Sequence, residues 1–207
     1  MSWRSRAIRS YGPALAWAAH YRHRLLFDGR SEDRETDRLK GAAFARRALE
    51  VAGDDPSVLV HAARVLAYFG EDIGAMMALV DRALALNPNF ARGWYVSSTL
   101  RLSAGQLDVA IEHAEVSLRL SPRARFGTPL LTIGAAHFLS RCFDAAVPKL
   151  LLAIHEDPTF PDPYRYLAAC YAHSGSGRRG ARDGRAAAGH HRRRDTGRQL
   201  SAERRAA

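Results

Sequence analysis

A chain of 207 residues with 47 % apolar and 25 % charged side chains has the balance of a soluble folded protein, and no run nears the roughly eighteen uncharged apolar residues of a membrane-spanning helix. The net charge of +10 points to a polyanion partner only until it is divided: residues 174–207 hold ten arginines against three acids, whereas residues 1–173 hold twenty-one Lys and Arg against eighteen Asp and Glu. The body is close to balanced.

Taken in chain order, the first nine residues carry charge with no apolar stretch or small-residue cleavage site behind them, so they read as a disordered start and not as a signal peptide. Residues 10–55 suggest a divergent helix pair. Leu15, Ala18, Ala19, Leu25 and Leu26 mark one helix, and Leu39, Ala43, Arg46, Ala48 and Leu49 mark another. Between them Asp28-Gly29-Arg30 makes a turn, Ser31 is a candidate cap, and Glu32, Asp33 and Glu35 suit a helix start.

From there the chain repeats. Asp55-Pro56, Asn87-Pro88, Ser121-Pro122 and Asp157-Pro158 are similar boundaries whose prolines stand 32, 34 and 36 residues apart. The last three each close an apolar run: Leu79, Val80, Ala83, Leu84 and Leu86; then Ile111, Ala114, Leu118 and Leu120; then Val147, Leu150, Leu151 and Ile154. Spacings of three and four put such side chains on one helix face, and a proline beyond the last turn ends the helix. The intervals divide into helices over about 91–103, 107–120 and 129–139. Asp144 is a candidate cap for a fourth helix, and Pro148 falls in its first turns. After Pro161 and Pro163 comes Tyr164-Arg165-Tyr166-Leu167-Ala168-Ala169-Cys170-Tyr171, an apolar helical pattern like the one around Cys142. Both cysteines therefore read as buried reduced thiols of a cytoplasmic protein.

Tyr164-x-x-Leu167-Ala168-x-x-Tyr171, with Gly175 after it, resembles the opening of a tetratricopeptide hairpin. Gly134, Ala146, Leu150, Ala153 and Pro158 match that pattern one repeat earlier. Trp94, Ser98, Gly105, Ala110 and Pro122 match it in the repeat before, where Ser97 and Arg101 depart from it. The resemblance implies an all-α, right-handed α-solenoid of antiparallel helix hairpins over residues 56–175, with the last repeat incomplete. A narrower likeness joins Ala67–Met77, Leu84–Pro88 and Ser117–Ala124 to the repeats that follow the catalytic domain of bacterial adenylate-cyclase-like proteins. It implies an accessory, signalling role, although the chain holds no cyclase domain.

Residues 176–207 break the pattern. The only large aliphatic residue from Ser174 onward is Leu200, so nothing can form a core-facing stripe, and a disordered Arg/Gly/Ala-rich tail is expected. Two readings stand side by side: a basic arm that contacts nucleic acid or another polyanion, and off-frame translation of a GC-rich gene. The arm lacks aromatics to stack on bases. Loss of the covering helix would leave Leu167, Cys170 and Tyr171 bare and the C-terminal end prone to self-association.

No enzyme motif emerges, and no cofactor or metal is expected. His20 and His23 lack an evident third ligand, Asp54-Asp55 and Glu71-Asp72 lie at turns, and Ser97-Ser98 has no nucleophile elbow around it. The tetratricopeptide likeness implies instead a protein or peptide ligand in a concave groove lined by first helices. Arg92, Tyr95 and Thr99 are candidate groove residues on one first helix, Leu131 and Ala135 on the next, and Arg165 and Ala169 on the last. Arginine there would pair with a carboxylate and tyrosine would offer flat contact area.

Overall fold

The computed structural model describes residues 11–122 and 129–174, and every regular element among them is a helix. The expectations for residues 1–9 and for the tail from 176 lie outside the described residues. Helices α1 (Gly12–Phe27), α2 (Arg34–Ala52), α3 (Pro56–Tyr68), α4 (Ile73–Leu86), α5 (Ala91–Ser103) and α6 (Leu107–Leu120) form one compact unit. A second unit holds α7 (Pro129–Leu139), α8 (Phe143–Glu156) and α9 (Asp162–His173). In the first unit each helix packs on its successor, and α1 with α3 and α3 with α5 pack as well, so the first helices of successive hairpins lie side by side. The second unit shows the same pattern, α7 packing on both α8 and α9.

One turn recurs in all four hairpins. In the first, the Arg30 amide donates to the Leu25 carbonyl and Gly29 has φ +68°; in the second, Glu71 donates to Leu66 and Gly70 has φ +90°. In the third, Gln106 donates to Arg101 around Gly105 at φ +76°, and in the fourth, Cys142 donates to His137 around Arg141 at φ +60°. This six-to-one bond with a left-handed residue inside it is the Schellman motif, which satisfies carbonyls that a helix end leaves without partners. Gly70, Gly105 and Arg141 follow one another at 35 and 36 residues. That period is steadier than the proline spacing because Pro56 is not equivalent to Pro88. Pro56 is the first residue of α3, capped by Asp55, while Pro88 precedes α5 in the connecting loop. The 32-residue step from Pro56 to Pro88, two shorter than the next, therefore comes from the placing of the proline and not from the hairpin.

The connections between repeats also recur. Asn87 and Asp157 each accept a bond at Oδ1 from the amide two residues on, at 3.1 and 3.0 Å. Trp94 Nε1 then donates to the Pro88 carbonyl at 2.8 Å, and the Tyr164 hydroxyl donates to that of Pro158 at 3.0 Å. The aromatic near the start of α5 and of α9 thus fastens the loop behind it. At Gly134 an added Cβ would stand 2.7 Å from Cγ and Cδ2 of buried Leu150, which accounts for a small residue where α7 crosses α8.

Several local expectations need correction. Asp33, not Ser31, caps α2 by accepting from the Thr36 amide; Ser31 donates to Asp37 instead. The buried stripe of α2 is Asp37, Gly41, Ala42, Ala45 and Ala48, leaving Leu39, Ala43 and Arg46 exposed. That stripe keeps Asp37 within 2.5 Å of Arg22 on α1. Asp144 lies in the first turn of α8 but makes no cap hydrogen bond. Leu86, Leu120 and Leu151 are exposed although they continue apolar runs. Cys142 is exposed because it follows the left-handed turn and precedes α8, while Cys170 is buried as expected. Leu167, Cys170 and Tyr171 are all buried and pack with Ala146, Leu150 and Ile154, and the side chains that α9 exposes are Arg165, Ala168, Ala172 and His173.

Ser97 and Arg101, the two departures from the repeat pattern, belong to one polar junction. Arg101 donates to Ser97 Oγ at 2.9 Å and to both oxygens of Asp81 at 3.0 and 3.1 Å, and His113 Nδ1 lies 3.0 Å from the same Ser97 oxygen. Hydrogen bonds thereby join α4, α5 and α6 where the repeat pattern would place apolar contacts.

Arg141 carries the cost of a left-handed turn without a glycine, roughly 1–2 kcal/mol for an L residue. Its side chain is exposed, so nothing is lost by removing it. Arg141→Gly is expected to raise stability by about 1 kcal/mol, read as a higher midpoint in thermal unfolding followed by circular dichroism; an unchanged or lower midpoint would contradict this account of the turn.

Candidate binding face of the first helices

Counting back from each left-handed residue aligns the first helices. Two residues before it stand Phe27, Tyr68, Ser103 and Leu139; six before, His23, Arg64, Thr99 and Ala135; nine before, His20, His61, Val96 and Thr132. On α1 and α3 these positions, with Trp17, make a continuous ribbon of rings. Trp17 lies 4.7 Å from His61 and 5.6 Å from His20, centroid to centroid. His20 is 5.2 Å from His61 and 5.7 Å from His23, and His23 meets Tyr68 edge-on at 4.5 Å. Phe27 and Tyr68 close the ribbon at 6.3 Å.

The ribbon is buried along its middle and open at its ends. His23 and His61 are 2 % and 3 % exposed, whereas Trp17 and Tyr68 are 53 % and 45 % exposed. Nδ1 of His20 and of His23 is buried with no hydrogen-bond partner. Burial favours neutral imidazole, and Arg64, Arg92 and Arg24 add to the effect, so the His20 pKa is pushed down to about 4. Burial and then Arg64 bring His23 to about 3, and burial and then His20 bring His61 to about 3. Arg92 is lowered too, by burial first and then by Arg64. Three histidines and two arginines thus share a surface on which every named charge acting on the imidazoles is positive.

The residues expected from sequence fall as follows. Arg92 is half-buried on α5. Tyr95, at 8 % exposure, is covered by the Arg64 guanidinium 5.7 Å from its ring centre, so flat contact area is offered by Trp17 and Tyr68 instead. Thr99 donates to the Val96 carbonyl at 2.8 Å. Leu131, in the second unit, is half-buried against the cluster of Leu150, Leu167 and Cys170. Arg165 is exposed and pairs with Asp162 at 2.7 Å, beside a cleft of about 380 Å³ lined by Phe138, Tyr166 and Ala169. The structure brings Arg92, Tyr95 and Thr99 together on α5, and describes Leu131 and Arg165 in the other unit. Sequence reasoning missed His61 and Arg64, which meet His20 and Arg92 across helices. The signal was present in the turn register, because His20 and His61 both stand nine residues before a helix-ending glycine. Even with His61 added, no group of His, Cys, Asp or Glu among the described residues could hold a metal ion.

Solved structures share this architecture. The chain is similar to MamA 41-end from Desulfovibrio magneticus RS-1, with TM-score 0.61 and 16 % identity over 87 % of this chain and 97 % of that one. Another crystal structure of MamA gives TM-score 0.62 at 12 % identity, covering 81 % and 96 %. YrrB, described as a tetratricopeptide-repeat protein with an unusual peptide-binding site, gives TM-score 0.56 at 19 % identity, covering 70 % and 74 %. No protein-family model and no curated protein matches the chain. The fold is that of tetratricopeptide-repeat proteins. No helix among the described residues is long and apolar enough to cross a membrane.

The lowered histidines set the response to acid. Their unfolded-state pKa is 6.5, so below that value the unfolded chain binds protons that the folded one refuses, and stability falls as pH drops from 6.5 towards 4 for His20 and towards 3 for His23 and His61. Above it their contribution is constant. For the nearly fully buried His23 and His61 the loss is about 2 kcal/mol each between pH 6.5 and about pH 5. Urea unfolding across this range is expected to show the decline, and His23→Gln or His61→Gln should flatten it relative to the parent's own high-pH value. A parent profile already flat in this window would contradict the burial argument.

Proposed function

We propose that this protein is a non-catalytic interaction module that binds an extended peptide or a helix of a partner protein on the layer of first helices. The observation that carries this reading is the face of α1 and α3, where Trp17, Phe27 and Tyr68 stand exposed around His20 and His23, whose buried Nδ1 atoms have no hydrogen-bond partner. Large exposed rings at the ends of a packed aromatic ribbon are what an interaction surface needs, and a solvated helix face does not require them. Arg92 and Thr99 extend the contact surface onto α5, and Leu131 and Arg165 serve as contacts within the second unit. The peptide-binding site named for YrrB supports this use of the fold. Self-association through α9 is a further use of the same architecture, carried by its exposed Ala168 and Ala172 and not by the buried Leu167, Cys170 and Tyr171.

Peptides selected from a random display library on the full chain, followed by hydrogen exchange of the complex, test this assignment. Protection is expected on α1, α3 and α5, with about tenfold weaker binding, roughly 1.4 kcal/mol, for Trp17→Ala or Tyr68→Ala. A footprint on α2, α4 and α6 would place binding on the opposite layer and refute it.

The finer reading is that the module serves an adenylate-cyclase-like signalling protein. It rests on the likeness of residues 67–77, 84–88 and 117–124 alone. Sequencing the gene with its flanks is expected to find a cyclase catalytic domain upstream in the same frame; unrelated flanking genes would count against it.

A further inference from the structure

Arg64 is half-buried on α3 and has no carboxylate within ion-pair distance among the described residues, while other arginines of the unit are neutralised. Arg22 pairs with Asp37 at 2.5 Å, Arg24 with Asp28 at 2.9 Å, Arg46 with Glu71 and Arg82 with Asp54. What acts on Arg92 most, after its own burial, is the like charge of Arg64. Among the described residues Arg64 therefore stands without a countercharge, close enough to Arg92 to repel it and beside imidazoles held neutral by burial and by these same cations. The rim is aromatic: Trp17 against His61, Tyr68 against His23, and Tyr95 under Arg64.

We propose that this face selects acidic peptides, whose carboxylates pair with Arg64 next to Arg92 while adjacent apolar side chains lie on Trp17 and Tyr68. The inference rests on the reading of the face as a binding surface and specifies its ligand. A carboxylate offers a guanidinium a two-pronged hydrogen-bonded partner and supplies the countercharge that Arg64 lacks. His20, whose Nδ1 has no partner, stands next to the same positions. The chain's own ends do not complement the site: residues 1–10 contain Arg4, Arg6 and Arg9 with no acid, and residues 174–207 carry the ten arginines. A nucleic acid fits less well, because Arg22, Arg24, Arg46 and Arg82 already pair with carboxylates, whereas a phosphate backbone draws on several uncompensated cations in a row.

Display of random dodecapeptides on the full chain tests this, with Arg64→Glu/Arg92→Glu as the comparison. Selected peptides are expected to be enriched in Asp and Glu beside Leu, Phe or Trp, to lose affinity at least tenfold in the charge-reversed variant, and to weaken with salt. The reversed variant should itself select Lys- and Arg-rich peptides, a gain that misfolding cannot produce. Enrichment without acidic residues, or acidic peptides bound equally by both proteins, would leave the binding face standing and overturn its assignment to acidic ligands. Displacement of the peptides by oligo-dT at lower concentration than by free acidic peptide would overturn it in favour of nucleic acid. Failure to enrich any sequence would remove the binding face itself and the inference with it.

Discussion

The ribbon of rings on α1 and α3 depends on how each hairpin ends its first helix. A helix that stops with a six-to-one bond around a left-handed residue stops at a fixed angular position, so the residues two, six and nine places earlier in different hairpins take the same place relative to the turn. Helix packing within the first unit sets those places side by side on α1, α3 and α5. His20 meets His61, and Phe27 meets Tyr68, because the turns bring equivalent positions together. Glycine supplies the turn three times and Arg141 once, so the geometry is strong enough to hold an unfavourable residue.

What changes along the chain is the chemistry at those positions. Where α1 and α3 carry imidazole, guanidinium and large rings, α7 has buried Thr132 and Ala135 and exposed Leu139. The packing positions change far less. Ala63, Ala83, Ala110, Ala114, Ala146 and Ala153 are all fully buried, and Gly134 leaves no room for a methyl group against Leu150. Small residues let helices approach, and chemistry varies most at the exposed position two residues before each turn, which holds Phe27, Tyr68, Ser103 and Leu139.

Helix existence, the boundaries from Ala91 to Leu139 and the hairpin order were legible in the sequence because apolar spacing and turn residues report local geometry directly. The α2 stripe was misread because its buried side is mostly alanine and glycine around a paired Asp37, and such a stripe has almost no hydrophobic contrast. Pro56 misled because a proline serves a first turn as readily as a loop. Arg92, Tyr95 and Thr99 could be named from one helix. The cluster they belong to was missed, since His20, His61 and Arg64 meet through packing between helices far apart in the chain, and only their register to the turn glycines links them in the sequence.

The junction of Asp81, Ser97, Arg101 and His113 has a mechanical consequence. Apolar contacts between helices tolerate sliding by a fraction of an ångström, because dispersion is shallow and has no direction. A guanidinium fixed to two carboxylate oxygens and a hydroxyl tolerates far less, since hydrogen bonds weaken steeply with angle. Under load, α4, α5 and α6 therefore behave as a stiff segment, so sliding among these three helices is resisted by direction as well as by packing.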